Sequence, residues 1–341
     1  MSRFMKAAVA PSLQQPLEIL EVPVPSPGPG EVLVKIIASG VCHTDLHAVQ
    51  GDWPVKPALP LTPGHEGAGI VAALGAGIRH LREGDAVGIA WLHDACGCCE
   101  HCTTGWETLC HQQHNSGYSV AGCFAEYAIA KADYVVKLPG RANFMTLAPI
   151  LCAGVTTYKG IRETEVRAGE WLAVSGVGGL GHVAIQYAKA MGMHVVALDI
   201  GEDKLQLARS VGADLTVDAS LPDAVEQVRR NTGGVHGALV TAANTAAFSQ
   251  SLSLLRRRGT LSLVGLPAGS FPLPIFDVVL NRFTVRGSIV GSRQDLREAL
   301  EFAADGHVRP HIVPRRLEDI NDVLSDLQHG RINGRVVLDM Q

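Results

Sequence analysis

The sequence predicts an α/β protein with a second, mainly β part, and three observations carry that prediction. After about Leu151, apolar runs alternate with helical stretches, the pattern of βαβ units and a parallel sheet. Before it, short strand-like runs are separated by glycine- and proline-rich turns. Between Asp94 and Asn115 neither period is present, yet five of the eight cysteines fall there.

In the first part, Glu31–Ile37 reads as a strand behind the rigid Pro23–Gly30 stretch. Gly69–Leu74 and Asp85–Ala90 follow as further strands. Cys42 lies soon after the first strand, behind what reads as a Ser-Gly turn. In the second part the expected strands are Trp171–Ser175, His194–Ile200, Leu215–Val217, Gly237–Thr241, Thr260–Leu266 and Phe283–Ile289. Between the first two, Leu180, Val183, Ala184, Tyr187 and Ala188 are spaced for one apolar helix face over Gly179–Met191. The tail from Ser292 to Asp339 reads as helix, strand, helix, strand. Pattern alone leaves open whether it extends the parallel sheet or returns to the first part.

The chain has 341 residues, 47 % hydrophobic and 18 % charged, which suits two globular domains. A net charge of −4 and the absence of any basic run give no electrostatic support to a nucleic-acid surface. The apolar stretch of the leader-like start, Met1–Ala10, is too short for a signal peptide, and no segment has the roughly 18 apolar residues of a membrane span. A cytoplasmic protein is expected, and in a reducing compartment clustered cysteines point to metal or redox chemistry rather than disulfides.

Gly176-Val-Gly-Gly-Leu-Gly181 has the spacing of a dinucleotide fingerprint, following a strand and opening a helix. Gly176 permits the turn, Gly178 lets the backbone approach a pyrophosphate and Gly181 lets the helix pack close to the sheet, with Gly179 and Leu180 counted among the cofactor-binding residues. The phosphates then meet a helix N-terminus. Asp199, at the end of the next strand, suits the ribose hydroxyls and repels a 2′-phosphate, so NAD is expected over NADP. Lys204, one helical turn on, is within reach of the ribose.

Cys96, Cys99, Cys102 and Cys110 have the spacing C-x2-C-x2-C-x7-C, which suits a saturated four-thiolate structural zinc. Cys98 lies inside the cluster, so spacing also permits another choice of four. A bound metal would hold a lobe that has no core of its own. Cys42, His65 and Cys152 are too far apart for local spacing to unite.

Gly64-His-Glu-Gly-Ala-Gly69 followed by Gly75 resembles the signature of zinc-containing alcohol dehydrogenases in the medium-chain dehydrogenase/reductase superfamily. Cys42-His-Thr-Asp-Leu-His47, Gly51-Asp-Trp-Pro54, the cysteine lobe, Leu151-Cys-Ala-Gly154, Gln186–Gly192 and Val264-Gly-Leu-Pro267 resemble its microbial ethanol-type branch. The resemblance spans essentially the whole chain. It implies a GroES-like catalytic domain of residues 1–153 and 291–341 and an NAD-binding Rossmann domain of residues 154–290, with the active site in the cleft between them.

The same resemblance makes Cys42, His65 and Cys152 the ligands of a catalytic zinc, the second of two per chain, with one position left for water or substrate. Alcohol dehydrogenase is itself the standard example of such a two-cysteine, one-histidine site. Thr44 would bond the reacting oxygen and pass its proton, by way of the nicotinamide ribose, to His47. Asp45 would orient His65, and Glu66 would approach the metal transiently. His43 and Arg335 would face the pyrophosphate, Thr156 the nicotinamide and Val264 the cofactor, while Trp53 and Trp91 would narrow the substrate channel. The implied activity is reversible hydride transfer between small primary alcohols and NAD by a homotetramer. Related zinc dehydrogenases for secondary alcohols, polyols or formaldehyde adducts are the nearest alternative.

Overall fold

A computed structural model describes residues 3–140 and 143–341. Met1 and Ser2, at the head of the leader-like start, lie outside the described residues. The chain divides into two compact units. The first holds the residues up to Cys152 with Ser292–Asp305 and His311–Gln341; the second holds Ala153–Gly291 with Gly306–Pro310.

The first unit begins with a hairpin of β1 (Phe4–Val9) and β2 (Glu18–Pro23). Its central strand β3 (Glu31–Val41) is almost wholly buried and leads directly into α1 (His43–Gln50). The strand runs past Ile37, where its sequence pattern ends, and through Ser39-Gly40, which has the composition of a turn. In the structure those residues stay in the ladder, because both neighbouring strands satisfy their backbone groups. There follow β4 (Gly67–Leu74), β5 (Ala86–Ile89), β6 (Leu92–Asp94), α2 (Glu100–Thr103), β7 (His114–Asn115), β8 (Tyr127–Lys131), β9 (Val136–Lys137) and α3 (Phe144–Leu147).

The second unit opens with α4 (Ala153–Glu163) and then alternates: β10 (Trp171–Ser175), α5 (Gly181–Ala190), β11 (His194–Asp199), α6 (Glu202–Ser210), β12 (Leu215–Asp218), α7 (Ala224–Thr232), β13 (Val235–Val240), α8 (Thr245–Leu254), β14 (Leu255–Leu263), α9 (Ile275–Asn281) and β15 (Thr284–Gly287). The six strands are all parallel, in the order β12-β11-β10-β13-β14-β15. Counted from β10 this is 3-2-1-4-5-6, the Rossmann order, whose switch point lies between β10 and β13. Central strands buried on both faces explain the near-continuous apolar runs in the sequence.

The tail forms α10 (Arg293–Ala304), β16 (Ile312–Arg316), α11 (Ile320–Gln328) and β17 (Arg335–Asp339). Strand β17 pairs antiparallel with β3, so the tail completes a seven-stranded sheet in the first unit, ordered β16-β17-β3-β4-β5-β9 with β8 also on β3. Leu46, Ala48 and Val49 of α1 share one core with Ile320, Val323, Leu324 and Leu327 of α11. That core seats α1, which carries most of the candidate site. Among the described residues, no single helix is long and apolar enough to cross a membrane.

Candidate metal and cofactor sites

The candidate catalytic centre is built around the junction of β3 and α1. Cys42 caps α1, and its N–H donates to Asp45 Oδ2 at 2.9 Å. The other oxygen, Asp45 Oδ1, accepts from Gly64 N at 3.1 Å and from His65 Nδ1 at 2.8 Å. Asp45 and His65 are each only 1 % exposed, so this carboxylate fixes both the position and the tautomer of the imidazole. With Nδ1 carrying the proton, Nε2 presents a lone pair, and that buried atom has no hydrogen-bond partner. Burial opposes a charge on His65, but Asp45 raises its affinity for a proton well above the ordinary value.

Donor atoms of Cys42, His65, Glu66 and Cys152 all lie within 4.8 Å of one another. A hydrogen bond between the two thiols holds Cys42 well below the ordinary thiol range and pushes Cys152 well above it. Two soft sulfurs sharing a proton beside an orphaned imidazole nitrogen fit a zinc ion, which would take the place of that proton. The residues present therefore fit the metal.

Glu66 is fully buried, and its Oε1 accepts from Arg335 Nη2, itself on the buried start of β17. Its Oε2 and the Arg335 Nε are both unpartnered. Burial lifts the Glu66 carboxyl to about 7, although the Arg335 guanidinium works against that rise. Gly40 makes room for this side chain: a Cβ there would stand 1.8 Å from Glu66 Oε2. Close backbone approach, rather than turn formation, is the reason for the Ser-Gly pair.

Thr44 lies on the first turn of α1, with Oγ1 3.8 Å from Cys42 Sγ. His47 follows at i+3, which places the two side chains on neighbouring positions of one helix face. His43 is exposed at the start of the same helix. An aromatic wall continues from there. His47 stacks on Trp53 at 5.2 Å; Trp53 meets Trp91 at 6.2 Å and Tyr118 at 5.5 Å; and Trp91 stands edge-on to His65 at 5.5 Å. Sequence reasoning missed Tyr118, which lies past the cysteine lobe in no recognisable motif. Its hydroxyl donates to the Val55 carbonyl, which ties the loop carrying Trp53 to the wall.

In the lobe, the sulfurs of Cys96, Cys99, Cys102 and Cys110 also lie within 4.8 Å of one another. Cys96 and Cys102 are 3.9 Å apart. A tetrahedron with Zn–S bonds of roughly 2.3 Å has edges of about 3.8 Å, so the set fits a zinc. Cys98 is exposed and stands outside the group, although its sulfur is 3.7 Å from that of Cys96. Backbone N–H groups of Cys98 and Cys99 lower the Cys96 thiol to about 6 and favour its thiolate. Arg293 of α10 anchors the lobe through Glu107 at 2.7 Å and lies over the Tyr134 ring.

In the second unit the glycine-rich turn spans Gly176 to Gly181 at the switch point. Gly176 has φ +96°, and a Cβ there would stand 2.7 Å from Ala242 N. At Gly181 a Cβ would stand 1.8 Å from the Gly176 carbonyl oxygen, which is the close approach of helix and strand. Around Gly178 the space is open, the cradle a pyrophosphate requires. Helix α5 begins at Gly181, two residues later than the periodicity suggested, which leaves Gly179 and Leu180 in the turn with no side-chain cap on its N–H groups. Asp199 ends β11; its carboxylate accepts from Val177 N and, at 2.7 Å, from Ile200 N. These residues fit a dinucleotide. Thr241, which the motifs did not single out, braces the turn by donating to the Gly176 carbonyl at 2.7 Å. Lys204 is on the first turn of α6, Val264 follows β14 and is buried, and Thr156 is buried in α4.

Two family models match the chain: Alcohol dehydrogenase GroES-like domain over residues 28–140, and Zinc-binding dehydrogenase over residues 179–305. An alcohol dehydrogenase of Rhizobium meliloti (strain 1021) is 62 % identical over 336 residues, covering 98 % of this chain and 99 % of that protein. One of Moraxella sp. (strain TAE123) is 56 % identical, again covering 98 % and 99 %. The crystal structure of the alcohol dehydrogenase from the hyperthermophilic archaeon Aeropyrum pernix superposes with a TM-score of 0.90. It is 37 % identical, over 98 % of this chain and 99 % of that one. With a GroES-like unit, a Rossmann sheet and two converged sets of metal-ligand side chains, the chain belongs to the zinc-containing alcohol dehydrogenases of the medium-chain dehydrogenase/reductase superfamily.

Proposed function

We propose that this alcohol dehydrogenase interconverts small primary alcohols of the ethanol type and their aldehydes, using NAD and two zincs per chain. The observation that carries the reading is the orphaned Nε2 of His65, held by Asp45 beside Cys42 and Cys152. Three protein ligands leave a fourth position for substrate, whereas the four sulfurs of the lobe leave none.

When bound at Cys42, His65 and Cys152, zinc supplies Lewis-acid polarisation of the substrate oxygen, which favours hydride transfer between its carbon and nicotinamide. The chain's own residues do the rest. Thr44 Oγ1 accepts the hydroxyl proton in a hydrogen bond and so orients the substrate. His47, on the same helix face and partly open to solvent, is the terminal proton acceptor at Nε2. Glu66, paired with Arg335 and already within 4.8 Å of the three other donors, would be the residue placed to bind the metal transiently. Arg335 would direct its charge toward the pyrophosphate from its buried pair with Glu66, and His43, whose proton affinity desolvation lowers, would face it as a hydrogen-bond donor. Asp199, at the glycine turn, accepts from the ribose hydroxyls and disfavours a 2′-phosphate. The reading extends to a homotetramer working in the cytoplasm.

The wall of Trp53, Trp91 and Tyr118 supports a preference for short, unbranched substrates. Trp53→Ala is expected to raise kcat/KM for branched or longer alcohols relative to ethanol by about tenfold, the low end of what one apolar contact contributes to discrimination. An unchanged substrate ranking would remove Trp53 from the pocket.

The decisive experiment is a metal count combined with NAD- and NADP-linked rates on ethanol, longer primary alcohols, 2-propanol, a polyol and a formaldehyde–thiol adduct. About two zincs per chain, NAD preference and fastest turnover of a short primary alcohol are expected. A single zinc, NADP preference or a polyol optimum would overturn the reading.

A further inference from the structure

The loop after α1 carries a carboxylate that the proposed chemistry has not used. His47 Nδ1 lies 2.9 Å from both Asp52 Oδ1 and Asp52 Oδ2. The chain reverses at Gly51, which ends α1 in the left-handed conformation (φ 62°, ψ 36°) and bonds back to the His47 carbonyl at 2.8 Å. That reversal brings Asp52 beneath the ring and lays Trp53 against its face, with an interplanar angle of 25°. The Lys56 ammonium locks the turn by donating to the carbonyls of Gly51 and Trp53. Desolvation, and to a smaller degree His47 itself, lowers the proton affinity of His43, one turn earlier on α1.

From this geometry we infer that Asp52 is a positioning residue for proton release: it fixes His47 as the Nδ1–H tautomer, so that Nε2 takes the proton leaving the alcohol. The inference rests on the proposed role of His47. An ionised carboxylate can only accept, so Nδ1 carries the hydrogen and Nε2 keeps its lone pair. In alcohol oxidation the substrate hydroxyl loses its proton, which ends on Nε2, while the hydride leaves with the nicotinamide. The imidazolium that forms has its charge neutralised by Asp52, and the Nε2 proton then passes to a water or buffer base. The Nδ1 proton does not move.

The side chains of His47 and Asp52 are 27 % and 45 % exposed. A side-chain pair that open contributes little to stability. Asp52 should therefore matter to turnover far more than to folding.

The test compares wild type, Asp52→Asn, Asp52→Glu, His47→Gln and the double variant His47→Gln/Asp52→Asn, as zinc-loaded enzyme at neutral pH in dilute buffer. Asp52→Asn is expected to lower kcat for alcohol oxidation about three- to tenfold, with KM for NAD and Tm nearly unchanged. Asp52→Glu should recover part of the loss, and a high concentration of imidazole should recover most of it by accepting the proton directly. In the His47→Gln background the Asp52 change should have no further effect, because the two residues act as one unit. An equal loss in both backgrounds, a loss that imidazole does not relieve, or undiminished Asp52→Asn activity beside active wild type would overturn the inference alone. Wild type that forms no NADH with any alcohol would overturn the functional reading beneath it and the inference with it.

Discussion

Replacement of Cys152 by serine is expected to remove one of the two proposed zincs and to lower alcohol oxidation by at least about 10³-fold. A serine hydroxyl stays protonated at neutral pH and is a hard, weak ligand, so the site keeps one thiolate and one imidazole. The loss of Lewis-acid polarisation alone is worth several kcal/mol of barrier, and each ~1.4 kcal/mol is a tenfold change in rate. The fold should survive, since the substitution is nearly isosteric and leaves the Asp45–His65 hydrogen bond in place. Metal analysis and steady-state rates on the same preparation check this. Two retained zincs with wild-type turnover would show that Cys152 is not a ligand.

Loss of the lobe metal should act on stability rather than on chemistry. Cys110→Ser, or selective chelation, is expected to unfold the lobe around residues 95–113, expose it to proteases and lower Tm by more than 10 °C. Zinc binding in small thiolate sites contributes roughly 10–16 kcal/mol to folding, comparable to the whole ~5–15 kcal/mol stability of a domain. Apart from the buried Glu107, Thr108 and Cys110 and the Arg293 contact to Glu107, the lobe has little else: none of the α2 residues is buried, and Trp106 and Leu109 are exposed. Cys98→Ser separates this from a general sensitivity to cysteine loss. Its sulfur stands outside the converged four, so zinc content and Tm should match wild type. A Cys98→Ser protein that lost zinc would assign the ligands differently.

The fold was legible in the sequence where a period or a forced conformation left a mark. The parallel sheet announced itself because strands buried on both faces must be apolar throughout, and the glycine turn because Gly176 and Gly181 admit no Cβ. The four lobe cysteines were legible because a metal site within fifteen residues is a local matter of spacing.

The other ligand set was not local. Cys42, His65 and Cys152 are separated by more than a hundred residues, and only motif resemblance united them before the sheet did so physically. Antiparallel pairing of β4 with β3 sets His65 beside Cys42, and the tail strand β17 brings Arg335 to Glu66. Gly40 illustrates the limit. In sequence it reads as half of a turn; in the fold it is an extended strand residue whose missing side chain is filled by Glu66. Asp52 stood inside the Gly51–Pro54 motif with no role of its own, and Tyr118 stood in no motif, because what each touches depends on how the loop after α1 folds back. Sequence alone thus determined the Rossmann sheet, the cysteine lobe and, through its motifs, the family. Tertiary structure alone decided which buried polar atoms are partnered and which are left to bind, since that depends on contacts between segments whose separation along the chain encodes nothing.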